Sequence, residues 1–176
     1  IDDDGNGVID DVHGMSSHSG NVSGNSSDLQ YHGTHCAGTV GAVGGNGVGV
    51  VGVSWQVSIM ALRFLDSTGS GFTSDAVSCI RYALARKAAG VNLRVLSNSY
   101  GSPALSLALQ QAVADAVAAG VVFVAAAGNE GTDNDKTPKY PAKFPGALTV
   151  AATDVHDTLA SFSNFGSAGS TAPPPP

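Results

Sequence analysis

Charge is scarce in this chain of 176 residues. Charged residues make up only 12%, against roughly 25% in an average soluble domain. Lysine and arginine number 8 and the acids 14, for a net charge of −6, and five of those acids fall in the first eleven residues. That balance excludes a basic nucleic-acid footprint, so no nucleic-acid partner is expected. Long apolar runs are missing too. The longest, over 120–128, falls far short of the roughly 20 residues of a membrane span, and no membrane partner is expected. Two cysteines, Cys36 and Cys79, cannot make a disulfide framework and read as free buried thiols. Disorder is excluded in turn, because 43% of the residues are hydrophobic and the net charge is modest.

Small residues are what the chain has in quantity, with 23 glycines alone. They suit close-packed layers and tight turns. The length is that of about one domain. The sequence opens on isoleucine and closes on four prolines, a stiff polyproline stretch. It reads as part of a longer protein, truncated at both ends, with a partial domain over 1–166 and a Gly/Ser/Pro tail over 167–176 expected to be disordered.

From residue 48 onward, strands and helices alternate. Residues 57–65 (VSIMALRFL) form an apolar run closed by the turn Asp66-Ser67-Thr68-Gly69, which predicts a buried strand. Thr73 or Ser74 then offers an N-cap and Asp75 a first-turn anion. Val77, Ile80 and Leu84 recur at helical spacing, Arg86 and Lys87 fill the last turn, and Gly90 stops the helix. Residues 93–96 predict a strand, and Ser102-Pro103 a cap with a first-turn proline. The following helix lines one face with Leu105, Leu109, Ala112, Val113 and Ala116, and Gly120 ends it. Residues 121–127 (VVFVAAA) lack polar alternation, as expected of a strand covered on both faces, and 147–153 predict another. The fold class is therefore α/β: three layers, with a mostly parallel sheet between helices. Ligands in such sheets bind beyond the carboxyl ends of the strands, which points to 97–101 and 126–131.

The sharpest local motif is HGTHCAGT at 32–39. Gly33, Ala37 and Gly38 have almost no side chain, so a short helix here can approach a sheet closely. His32 is expected at its N-terminal end. Two histidines three apart are also compatible with ordinary surface or core positions. A zinc site finds no HExxH glutamate and no evident third ligand.

Taken with SNSYG at 97–101 and AAAGNEG at 125–131, this motif resembles the subtilisin-like serine proteases, the subtilases of peptidase family S8. The order, the spacing and the intervening strand–helix pattern match that family's central portion over about 1–166. Cys36 within the histidine motif resembles the thiol-containing subtilases, including the proteinase K branch. The resemblance implies that His32 is general base and then general acid for a serine attacking a peptide carbonyl. It implies that the Asn129 carboxamide donates to the oxyanion of the tetrahedral intermediate. Ser99, Tyr100 and Gly101 are implied as an edge to which an extended peptide adds as a strand. Ala126, Ala127 and Gly128 are implied as a wall of the pocket for the residue before the cleaved bond. Glu130 is implied at that pocket's rim, where it favours some polar or basic side chains. The family's catalytic aspartate and serine would lie upstream and downstream, so this chain alone is expected to be inactive. The lookalike Gly169-Ser170-Thr171-Ala172-Pro173 comes too soon and is rejected as the nucleophile segment.

A calcium cofactor is the second chemical expectation. Residues 2–10 fit the first nine positions of an oxygen-donor loop, with Asp2, Asp4, Asn6, the Val8 carbonyl and Asp10 as ligands. Position 12 is His13 rather than a bidentate glutamate, and a solvated acidic turn fits the same residues. By resemblance, the glycine-rich 43–52 segment offers Asn46 and the carbonyls of Val48 and Val50 to a second ion; a close-packed turn is the alternative. Cys36 is expected to be buried behind His32. The family further implies a secreted, monomeric enzyme acting on polypeptides. The readings from other classes are an inactive peptide-binding pseudo-protease and a calcium-binding structural module.

Overall fold

The structure is a computed structural model that describes residue 2 and residues 4–167. Most of the expected tail and the Gly169–Pro173 lookalike lie outside the described residues. Ser167 is described, and its amide and hydroxyl both donate to Asp135, at 2.8 and 2.6 Å.

The fold is α/β and divides into two compact units, residues 1–79 and 80–176. In the first, β1 (Gly14–His18) lies between β2 (Asn21–Ser23), antiparallel to it, and β3 (Ala61–Arg63), parallel to it. The helix α1 (His32–Gly41) and the opening turns of α2 (Thr73–Ala88) belong here. In the second unit β4 (Val95–Asn98), β5 (Val122–Ala126) and β6 (Ala147–Val150) form a parallel sheet in that order, with α3 (Leu107–Ala118) joining the first two.

β1 has no apolar pattern, yet it is buried. Ser17 is fully enclosed because its hydroxyl donates to Asp75 at 2.7 Å, and the Ser19 and Gly20 amides donate to the same carboxylate. Asp75 is thus the expected first-turn acid of α2 and also a buried tie from that helix to the β1–β2 turn. Burial pushes its carboxyl pKa up, but the bonds from Ser17, Gly20 and Ser19 outweigh that and hold it below the usual range.

The strand predicted over 57–65 shrinks to Ala61–Arg63, the only stretch with a ladder partner. α2 begins at Thr73, with the Asp75 and Ala76 N–H groups donating to the Phe72 carbonyl, rather than starting after a Thr73 or Ser74 cap. Its far end is as predicted: Gly90 adopts φ 104° and Val91 N–H closes back on the Arg86 carbonyl.

α3 starts later than Ser102-Pro103 suggests. Ser102 exchanges both backbone bonds with Tyr140, so its carbonyl is committed to a bridge and cannot open a helix. Ser106 caps instead, its Oγ accepting from Leu109 N–H, and Leu105 stays outside the helix and exposed. Leu109, Ala112, Val113 and Ala116 bury the expected face.

β5 departs from the expectation of cover on both faces. Phe123 and Ala125 are fully buried, while Val122 on the other face is 48% exposed. Val95, Leu148 and Val150 on the flanking strands are likewise about half exposed. No helix among the described residues is long and apolar enough to cross a membrane.

Candidate functional site

His32 is the first residue of α1. The N-cap, Tyr31, takes a left-handed conformation (φ 69°) and its side chain caps nothing. Capping comes from three residues before it in the loop: Asp28 accepts from Thr34 N–H at 2.7 Å, Thr34 Oγ1 at 2.8 Å and Gln30 N–H at 2.9 Å. Those bonds, Gln30's foremost, hold the Asp28 carboxyl down to about 2. Motif reading missed Asp28, although an acid just ahead of a helix start is a legible capping signal.

The glycines of the motif do not pack as expected. Nothing in α1 is buried, and a Cβ at Gly33 would meet only the Asp28 carboxylate at 3.5 Å. Close approach occurs at the end of the helix. A Cβ on Gly41 would fall 2.4 Å from the Val57 side chain, and one on Gly52 2.4 Å from the Ala42 amide. Cys36, expected to be buried, is half-buried, with its sulfur 3.9 Å from His32 Nδ1. Cys79 is the buried thiol, pushed up to about 12 by desolvation.

In the second unit, parallel pairing brings the ends of β4 and β5 to one edge of the sheet. Buried Asn98 locks them there, its Nδ2 donating to the carbonyls of Leu96 and Val124. Segment 99–101 leaves β4 beside Lys139 and Tyr140, with Ser99 and Gly101 exposed and Tyr100 half-buried. Past the end of β5, Ala127 is pinned on both sides: its N–H donates to the Val150 carbonyl and its carbonyl accepts from Asn134 Nδ2. Ala126 is exposed and Gly128 half-buried at φ 116°. Asn129 follows, exposed, and no described residue bonds its carboxamide.

Glu130 is not the free acid its rim position suggested. Lys139 pairs with one carboxylate oxygen; Asn164 Nδ2 and Asn129 N–H donate to the other, at 2.8 and 3.1 Å. The Lys139 ammonium is the main reason its pKa lies below the ordinary glutamate range. Lys139, Asn134 and Asn164 had no signal in the sequence: the first two fold back from further along the same β5–β6 connection, and Asn164 comes from beyond β6.

The candidate calcium ligands are largely self-satisfied. Asp2 accepts from the amides of Asn6 and Gly7, Asp4 from Asn6, and Asn6 Oδ1 from Val8 N–H. Asn6 Nδ2 donates to Asp11, and Asp10 sits at φ 54°. Asn46 Oδ1 likewise accepts from Val48 N–H, and Val48 and Val50 are exposed. Among the described residues no three His, Cys, Asp or Glu side chains converge as a metal site requires.

Comparison with known proteins gives one consistent answer. The model of the subtilase family, Peptidase_S8, matches residues 4–173. Subtilisin E of Bacillus subtilis (strain 168) is 43% identical over 141 residues, covering 80% of this chain and 35% of that protein. Subtilisin DY of Bacillus licheniformis is 45% identical over 148 residues, 82% of this chain and 52% of that protein. Thermitase of Thermoactinomyces vulgaris is 43% identical over 143 residues, 81% and 48% respectively. The chain therefore spans about a third to a half of the length of these relatives.

Proposed function

The chain belongs to the subtilase family, and from that membership we propose that it carries the general base and the oxyanion donor of a serine endopeptidase. His32 takes the proton from a serine hydroxyl as it attacks a peptide carbonyl and returns one to the leaving amine. Asn129 donates to the oxygen on which charge develops. Losing that donor costs ~10²–10³ in turnover, a magnitude known from a subtilisin itself. The observation that supports the reading best is the state of Asn129. It is an exposed carboxamide past the carboxyl end of a parallel strand, bonded by no described residue, while Glu130 and Asn134 beside it are held by hydrogen bonds.

Segment 99–101 supplies backbone edges for an extended polypeptide, and Ala126, Ala127 and Gly128 a wall for the side chain before the cleaved bond. With Lys139 on Glu130, that rim favours basic residues less than a free glutamate would. Cys36 beside His32 fits a thiol-containing branch of the family. We read the enzyme as secreted and monomeric. The 176 residues alone are expected not to turn over peptides, since the resemblance assigns them neither the nucleophile nor the triad aspartate.

Calcium enters through donor chemistry alone: loop 2–11 offers only oxygen donors, which suit a hard cation. As arranged, those oxygens do not fit a bound ion, because they serve the loop's own amides, and no step of the chemistry depends on one. Calorimetric titration with calcium is expected to show no tight uptake by this loop; strong binding that Asp2→Asn abolishes would overturn that reading.

The decisive assay is hydrolysis of a peptide anilide by the protein expressed with its native flanking reading frame. Activity abolished by His32→Ala supports the proposal. A folded product without such activity would instead make this a peptide-binding pseudo-protease.

A further inference from the structure

We infer that Asn164 is a positioning residue for Asn129, and this rests on the oxyanion role proposed above. The two lie 35 positions apart, and Asn164 is 1% exposed. Its side chain spends its full hydrogen-bonding capacity on one short stretch of chain and that stretch's partners. Oδ1 accepts from the amides of Glu130 at 2.9 Å and Thr132 at 3.1 Å. Nδ2 donates to Glu130 Oε2 at 2.8 Å and to Asn134 Oδ1 at 3.1 Å. Its backbone N–H donates to the Gly128 carbonyl at 3.0 Å.

Residues on both sides of Asn129 are thus held by Asn164: Gly128 through its backbone N–H, and Glu130 and Thr132 through its buried side chain. The Asn129 N–H is itself directed at Glu130 Oε2, the oxygen Asn164 holds. Gly128 completes the clamp: a Cβ there would sit 2.4 Å from Asn164 Nδ2, so the backbone lies directly against the asparagine. Among the described residues none bonds the Asn129 carboxamide, so the backbone beneath it does most to set its direction. An oxyanion donor works by being aimed before charge develops, and a misplacement near 1 Å costs up to about 100-fold. Asn164 supplies the aim without touching substrate.

The test uses the protein expressed with its native flanking reading frame and a double-mutant cycle. Asn164→Ala is expected to lower kcat by about 10- to 100-fold with KM within about twofold. In an Asn129→Ala background the same change is expected to cost less than about twofold, because there is no donor left to misplace. Losses that multiply, an unchanged kcat, or a loss confined to KM would each overturn the inference. Should Asn164→Ala fail to fold, Asn164→Ser, which keeps one polar group in the pocket, is carried through the same cycle against the same outcomes. Wild-type protein with no hydrolytic activity would sink the peptidase reading itself, a result distinct from an active enzyme indifferent to residue 164.

Discussion

Asp28 offers the most direct quantitative test of how the histidine helix is held. α1 buries none of its ten residues, so apolar packing contributes little and capping carries an unusual share of its stability. Replacing Asp28 with alanine removes the acceptor for the amides of Gln30 and Thr34 and for the Thr34 hydroxyl. A lost helix cap costs about 1 kcal/mol, and loss of an anion at the N-terminus a few tenths more. The carboxyl's acidity bounds the same bonds from above. Held at about 2 against an ordinary 3.8, it corresponds to at most about 2.5 kcal/mol. Solvent screening of this half-exposed group reduces that to about 1–1.5 kcal/mol.

The folded carboxyl is the stronger acid, so its contribution is complete above about pH 4 and is lost as pH falls toward 2. Native-state hydrogen exchange reads this locally. Amides in His32–Gly41 are expected to lose roughly 5- to 13-fold in protection at pH 7 in Asp28→Ala, and about half that free energy at pH 3. Equal losses at the two pH values, or no loss at pH 7, would refute the idea that Asp28 caps the helix as a charged group.

The other expectations follow from single contacts. Gly128→Ala forces a Cβ against Asn164 at φ 116° and is expected to cost about 2–4 kcal/mol in urea unfolding, with turnover falling alongside. Asp75→Ala leaves the Ser17 hydroxyl and two amides without their acceptor, and a similar loss of about 2–4 kcal/mol should appear as a lowered urea midpoint. With its pKa held low in the fold, Asp75 stabilises above the ordinary aspartate range, and that stability declines on acidification. A disulfide reagent at pH 8 should modify Cys36 in the native protein and Cys79 only after denaturation, since Cys79 is buried with a thiol pushed up to about 12. Two fast equivalents from folded protein would contradict that assignment.

Elements with a strong helical period were legible in the sequence. α2 and the buried face of α3 followed from spacing and from the glycines that end them. Strand limits were less so, because they depend on where a partner runs out. The apolar run 57–65 keeps only three ladder residues, and β1, rich in serine, left no apolar trace at all. Ser102 looked like a cap by residue type and was claimed by Tyr140 instead.

The candidate site divides along the same line, and the division has a physical cause. Residues proposed to meet substrate, His32 and Asn129, sit in short local motifs, at a helix start and a strand end, so neighbouring letters announce them. The residues that fix their surroundings work at a distance. Asp28 is still within reach of a capping pattern, but Lys139 folds back from nine residues along the connection and Asn164 comes from beyond β6. A buried amide with four partners has no signature before its partners arrive, because asparagine in a sequence reads as a turn. The consequence is that tolerance to mutation need not follow the motif. Replacing Asn164, which no motif includes, should damage the loop more than replacing exposed Ser99, which one does.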